Sequence, residues 1–71
     1  MDRNIVRKHR EEIANFFDVD IHEVHDCHKE NRYTFFDEVS EEYWVYDYIN
    51  EVTFHFVGRF SFILDALRCY S

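Results

Sequence analysis

The spacing of apolar residues changes along the chain, and each change indicates a different secondary structure. From residue 2 to about residue 17, apolar side chains recur at roughly helical intervals, with polar residues such as Lys8, Glu11 and Asn15 between them. Apolar positions three to four residues apart share one face of a helix. This pattern predicts a first helix over residues 2–17.

A second helix is predicted from Asp20 to about Glu30. Asp20 is followed three residues later by Glu23, which is the pattern of a capping box. Val19 and Val24 occupy the flanking positions of a hydrophobic staple. This start is the strongest local signal in the sequence.

Aromatic and β-branched residues predict strands in the second half of the chain. Residues 33–39 and 43–49 are rich in them and are separated by Ser40, Glu41 and Glu42, which indicates a hairpin. Alternation over residues 52–57, after a tight turn at Asn50 and Glu51, predicts a third strand. Gly58 ends this alternation, and helical spacing from Phe60 up to Arg68 predicts a terminal helix.

These elements predict an α+β fold in which a three-stranded antiparallel sheet is packed with helices, in the order ααβββα. The 71 residues, 1–71, form a single small acidic domain, because a chain of this length has no room for a second core. The one glycine and the absence of proline leave no marked linker.

Two cysteines are too few for a disulfide framework, and the sequence has no secretory or transmembrane run. We therefore expect a cytoplasmic protein that does not interact with membranes. Eight Phe, five Tyr and one Trp exceed what so small a core can hide. Some rings should reach the surface, and homodimerisation, or a structural role in a larger assembly, is one alternative.

The charge is negative overall and unevenly distributed. Fifteen acidic and eight basic residues give a net charge of −7, which should repel nucleic-acid phosphates and favour a basic partner. Four of the basic residues lie in the first ten positions: Arg3, Arg7, Lys8 and Arg10. No Lys or Arg occurs from Tyr33 to Gly58, so the middle of the chain forms an acidic pole.

The densest group of metal-ligand residue types lies in the predicted second helix: His22, His25, Cys27 and His28. On a helix, His22, His25 and His28 would form one row, but a third or fourth ligand would have to come from His55 or Cys69. The alternative is that the histidines face solvent while Cys27 is buried as a small hydrophobe. We predict no metal site from this pattern and leave the question of the histidines open.

The sequence carries no pattern typical of an enzyme. Cys27 has histidine neighbours, but adjacent helix positions do not face one another, and Asp26 disfavours a thiolate. Glu41 and Glu42 lie in a predicted turn with no sign of a pocket. We therefore predict a protein without catalytic activity and without a cofactor.

Residues 12–32, EIANFFDVDIHEVHDCHKENR, resemble a helix-turn-helix. Ala14 would take the small position where the helices cross, Val19 the buried turn, and Val24 the buried site of the second helix. Asp18 stands where the family usually has glycine, and the would-be recognition helix is acidic. The resemblance implies, as an alternative function, a small DNA-binding regulator that contacts phosphates through the basic N-terminal residues.

The acidic hairpin supports a different hypothesis. Carboxylates two residues apart on a strand point the same way at roughly 6.6 Å spacing, so an acidic sheet edge can imitate a phosphate track. Aromatic residues between the acids supply rigid anchors of the kind found in binding hot spots. The predicted partner-binding residues are Asp37, Glu38, Glu41, Glu42, Trp44, Tyr46, Asp47 and Glu51.

In size, acidity, ring content and lack of an enzyme motif, the chain resembles the small accessory proteins that bacteriophages use to inhibit host or anti-phage enzymes, some of which mimic DNA. The resemblance is one of composition and transfers no residue. It implies a bacterial cytoplasmic location and an inhibitor of a basic, often nucleic-acid-binding, protein. Our prediction is thus a non-catalytic protein-binding inhibitor or modulator that does not itself contact nucleic acid.

Overall fold

A computed structural model of the chain describes residues 3–69. A long helix is followed by a single 3₁₀ turn, four strands and a short helix. The bounds are α1 Arg3–Phe17, the 3₁₀ turn Ile21–Glu23, β1 His25–Asp26, β2 Arg32–Asp37, β3 Glu42–Asn50, β4 Thr53–Phe60 and α2 Ile63–Leu67. The predicted start of the first helix at Asp2 lies outside the described residues.

The four strands form one antiparallel sheet in the order β1-β2-β3-β4, so that neighbours in sequence are neighbours in space. Phe35 pairs with Trp44 across β2 and β3, and Tyr46 pairs with Phe56 across β3 and β4. The register shifts beside Tyr46, where Val57 is the extra residue of a bulge in β4. The α+β class and the antiparallel sheet are confirmed, whereas the predicted order ααβββα, with three strands, is wrong.

The sheet has two covered faces, because successive residues of a strand point to opposite sides. On the face covered by α1, here the α1 face, Tyr33 and Phe35 pack against Ile13, Ala14 and Val24. The opposite face, here the α2 face, has its own cluster: Cys27, Val45, Ala66 and Cys69. Each helix therefore encloses a separate small core.

α1 is held on its face by a group of polar contacts as well as by apolar packing. The His9 ring stacks on Tyr48 with 3.6 Å between centroids, and His9 Nδ1 lies 2.8 Å from the buried Tyr33 hydroxyl. The Tyr48 hydroxyl donates a hydrogen bond to Glu12. Burial is the main reason that the pKa of Tyr48 is raised to about 12, and the hydrogen bond to Glu12 acts on the pKa in the same direction.

The predicted helix over residues 20–30 does not form. The Asp20 side chain does accept a hydrogen bond from the His22 backbone N–H, at 2.8 Å, but the turn ends at Glu23 and β1 comes next. Two causes are visible. Residues 24–28 are Val, His, Asp, Cys and His, all of which are weak helix formers. In addition, the Arg10 guanidinium donates hydrogen bonds to the carbonyls of Ile21 and Val24, which would accept backbone N–H groups in a continuing helix.

This difference also removes the helix-turn-helix geometry predicted for residues 12–32. α1 ends at Phe17, Asp18 takes a left-handed conformation with φ of 56°, and the Val19 N–H bonds the Ala14 carbonyl. That is the Schellman ending of a helix. The chain then continues into a 3₁₀ turn and a strand, so the structure has no recognition helix in this segment.

The remaining elements differ from the prediction mainly at their ends. The strand predicted over 52–57 extends through Gly58 to Phe60, with Gly58 paired to Val45. The terminal helix, predicted from residue 60 to Arg68, is shorter and begins at Ile63. In the part of the chain that the structure describes, no helix has the length and apolar character needed to cross a membrane.

A buried arginine joins the strands to the C-terminal segment. Arg32, whose side chain is only 2% exposed, donates from Nε to one Asp47 carboxylate oxygen at 2.7 Å and from Nη2 to the other at 2.9 Å. Its Nη1 donates to the Cys69 carbonyl at 2.9 Å. The hydrogen bond from Arg32 is the main reason that the pKa of Asp47 lies below its usual value.

Replacing Asp47 should therefore destabilise the fold strongly. Asp47→Ala leaves the Arg32 charge buried without its carboxylate, which should lower the free energy of unfolding by about 3 kcal/mol. Urea denaturation measures this, and Glu51→Ala, which removes an exposed carboxylate, should change it by less than about 0.5 kcal/mol.

The pH dependence supplies a second test of the same pair. Because the folded-state pKa of Asp47 is lowered, its contribution is complete above pH of about 5 and is lost as the pH falls through the folded-state pKa. The difference in stability between the parent and Asp47→Ala should shrink over that acid range. A difference that stays constant down to pH of about 2 would contradict this role for the pair.

Candidate functional site

The turn between β2 and β3, residues 38–41, has a fixed shape although it projects into solvent. One Asp37 carboxylate oxygen accepts hydrogen bonds from the backbone N–H and the hydroxyl of Ser40, both at 2.8 Å. The Trp44 indole N–H donates to the same hydroxyl at 3.1 Å. Glu41 takes a left-handed φ of 58°, and its N–H bonds the Asp37 carbonyl. These bonds therefore hold the backbone of the turn in one conformation.

A groove of about 290 Å³ lies between this turn and the end of α1. We call it the acidic groove. Of the residues that the structure describes, five with carboxylates and four apolar ones line it: Asp18, Asp20, Glu23, Asp37, Glu38, Phe17, Val19, Phe36 and Val39.

The lining of the acidic groove combines concentrated negative charge with one prominent apolar side chain. The residues between 3 and 69 that line it include no Lys, Arg or His, so the potentials of the five carboxylates add without internal neutralisation. Val39 is 96% exposed at the tip of the turn. Such a surface can attract a cationic segment and offer it a small hydrophobic contact.

Local backbone geometry positions the three groove carboxylates that come from the first third of the chain. Asp18 occupies the left-handed position that ends α1. Asp20 caps the 3₁₀ turn, and Glu23 ends it. Because Arg10 holds the Val24 carbonyl at 2.7 Å and the Ile21 carbonyl at 2.8 Å, the 3₁₀ turn and the residue after it are fixed against α1.

The predicted partner-binding residues are only partly brought together. Asp37 and Glu38 line the acidic groove, and Glu41 lies exposed in the same turn. Glu42 begins β3 and is within 3.7 Å of the Arg59 guanidinium. Four of the predicted carboxylates therefore lie at one end of the β2–β3 hairpin.

The two predicted aromatic anchors lie on the α1 face of the sheet. The Trp44 ring is half-buried, with its centroid 6.3 Å from that of Phe56. Tyr46 packs between Phe35, Phe17 and Phe56, and burial raises the pKa of its hydroxyl. Both rings thus serve the core, and the exposed apolar contact beside the acids is Val39 instead.

Asp47 and Glu51, the other two predicted carboxylates, lie away from the four at the end of the β2–β3 hairpin. Asp47 points to the α2 face, where it pairs with Arg32. Glu51 lies in the β3–β4 turn, at the far end of the nine-residue strand β3 from Glu42. At about 3.3 Å per residue, the length of β3 separates these two ends by more than 20 Å.

Sequence reasoning missed Asp18, Asp20 and Glu23 as members of the site. The pattern at Asp20 and Glu23 indicates a helix start, and Asp18 stands out only as a departure from a turn motif. The available signal was the density of acids directly after the first helix. What the sequence could not indicate was that this segment would turn back toward residues 37–39.

The histidine cluster is dispersed. His22 lies in the 3₁₀ turn, His25 is in β1 and His28 lies beyond it, so the row expected from a helix is not formed. Between residues 3 and 69, no three His, Cys, Asp or Glu side chains are grouped so that they could hold a metal ion. Cys27 is buried, and its thiol contacts the Ala66 carbonyl at 3.5 Å.

Comparisons with protein-family models, with curated proteins and with solved structures each find no match to this chain. The function is therefore inferred from the geometry and charge described above.

Both cysteines are expected to be inert toward thiol reagents in the folded protein. Burial is the main cause that raises the pKa of Cys27 to about 12, and Cys69 is also buried. With a disulfide reagent at pH of about 8, labelling should be at least about a hundred-fold slower in the folded protein than in urea. Ser61→Cys, an exposed position, is the positive control. Rapid labelling of Cys27 in folded protein would contradict this environment.

Proposed function

We propose that the chain is a non-catalytic inhibitor or modulator that binds a basic partner protein through the acidic groove. The observation that carries the proposal is the meeting of five carboxylates with the exposed Val39 beside a turn of fixed shape. These features provide both long-range attraction and a short-range contact. The partner contributes a segment with Lys or Arg and at least one apolar side chain.

The five carboxylates of the acidic groove fall into two groups: two stabilise their own turns, and three are free to act on a partner. Asp20 and Asp37 accept hydrogen bonds from their own turns, so their oxygens are held in place before a partner arrives. Asp18, Glu23 and Glu38 are exposed and supply the field that steers a cationic partner. Such preorganisation reduces the conformational entropy lost on binding.

A nucleic-acid-binding protein is the partner class that we favour. The net charge of −7 and the collection of carboxylates at one end imitate the charge of a phosphate backbone toward a surface that binds one. A groove of about 290 Å³ suits one or two inserted side chains. DNA should then compete with this chain for the same partner.

Removing two steering charges should slow association with that partner. In the double variant Asp18→Asn/Glu38→Gln, the association rate at low salt should fall by about ten-fold, with less salt dependence, because the attraction acts before contact. The partner is first captured from bacterial lysate on the parent chain and identified by mass spectrometry. Surface plasmon resonance with the purified partner then gives the rates.

The matched control is Glu30→Gln/Glu51→Gln, which removes the same charge at exposed positions outside the acidic groove. Its association rate should stay within about two-fold of the parent's. Equal slowing in both double variants would assign the effect to net charge and not to the groove. An unchanged rate in the groove variant would refute the proposed site.

Val39→Ser tests the apolar contact separately. Because Val39 is 96% exposed, its replacement should alter the free energy of unfolding by less than about 0.5 kcal/mol. The dissociation rate from the partner should rise by about ten-fold, since a short-range apolar contact is lost from the complex. Dissociation at the parent rate would show that Val39 does not touch the partner.

A further inference from the structure

A second groove lies on the other side of the 3₁₀ turn and has the opposite character. It has a volume of about 780 Å³ and runs beside the first half of α1. Three arginines line it, Arg3, Arg7 and Arg10, together with the apolar side chains of Val6 and Ile21. We call it the basic groove.

Arg10 provides a fixed cation in the basic groove. Its Nε donates to the Val24 carbonyl at 2.7 Å and its Nη2 to the Ile21 carbonyl at 2.8 Å. A guanidinium has five N–H donors, so two hydrogen bonds leave three that can serve an anion. Because the group is already held, binding an oxyanion to it costs little side-chain entropy.

Arg3 and Arg7 are exposed at the rim of the same groove. Arg3, Arg7 and Arg10 succeed one another at intervals of four and three residues, which places them along one face of α1. The Arg7 side chain is 77% exposed and lies 3.3 Å from Glu11, whose side chain is 50% exposed. Exposed pairs of this kind contribute little, so an incoming anion can replace Glu11.

The charge balance of the basic groove favours a small anion over a polyanion. Among the described residues that line it, Glu11 and Asp26 are the carboxylates, so these residues and the three arginines carry one net positive charge before any contribution from His22. The chain as a whole carries −7, and its repulsion grows with the number of charges on the ligand. A long nucleic acid or an acidic protein meets far more of this repulsion than a ligand with two or three charges.

We propose that the basic groove binds a phosphate-bearing small molecule of nucleotide size. The phosphate lies on the Arg10 guanidinium, Arg3 and Arg7 close over it, and the apolar part of the ligand packs against Val6 and Ile21. Guanidinium groups match phosphate oxygens in pairs, and the groove volume is within the range of about 300–1,000 Å³ typical of ligand sites. This site is separate from the acidic groove and does not depend on the function proposed for it.

Isothermal titration calorimetry of the full chain with ADP tests this proposal. ADP should bind with a dissociation constant below about 1 mM, inorganic phosphate more weakly, and adenosine without measurable heat. In Arg3→Gln/Arg7→Gln the affinity for ADP should fall by about ten-fold. These two arginines are exposed, so the variant should keep the parent's circular dichroism spectrum and melting temperature.

The matched control is Arg59→Gln/Arg68→Gln, which removes two exposed cations outside the basic groove and should leave the affinity for ADP within about two-fold. Equal weakening in this control would overturn the site. No heat with ADP or phosphate up to about 10 mM would overturn the proposal itself. Tighter binding of a DNA oligonucleotide than of ADP would overturn the proposal and identify a polynucleotide as the ligand of the basic groove. Self-association that Arg3→Gln/Arg7→Gln abolishes would instead identify a second copy of this chain as the occupant.

Discussion

The buried contact of Arg32 with Asp47 and the Cys69 carbonyl is the interaction on which the rest of the fold depends. It joins β2 to β3 through two hydrogen bonds and ties both strands to the segment after α2 through a third. A buried guanidinium is costly to desolvate, and it is tolerated only where its donors meet well-placed acceptors. The C-terminal segment must therefore fold back on the sheet for Arg32 Nη1 to keep its acceptor, which ties the segment after α2 to the pairing of β2 with β3.

The segment between α1 and β1 separates the two candidate sites. Asp20 and Glu23 face the acidic groove, whereas Ile21 and His22 face the basic groove, because successive residues of a 3₁₀ turn are rotated by about 120°. Arg10 holds this turn in place and supplies the fixed cation of the basic groove. The largest extent of the molecule, 28 Å, exceeds the Debye length of about 8 Å at physiological ionic strength. The electrostatic potential in each groove is therefore set by the charges that line it and not by the net charge of −7.

Much of the fold could be predicted because its signals are local. The helical spacing before Phe17 and the aromatic, β-branched runs of the hairpins are properties of neighbouring residues, and the corresponding α1, β2, β3 and β4 are present. The acidic hairpin end, with Asp37 and Glu38, could be recognised from the same local pattern. The net charge and the cluster of four basic residues in the first ten positions were equally visible in the sequence.

Only the tertiary structure decided the remainder, because the deciding contacts join residues far apart in sequence. The capping pattern at Asp20 did not become a helix, since Arg10 competes for the carbonyls and β2 offers a partner strand at Tyr33 and Thr34. Charged side chains are usually exposed, so nothing local indicated that Arg32 would be buried. The sequence by itself determined α1, the strands β2 to β4 and the sign of each charged region. Long-range hydrogen bonds and packing determined which of those charges share a groove.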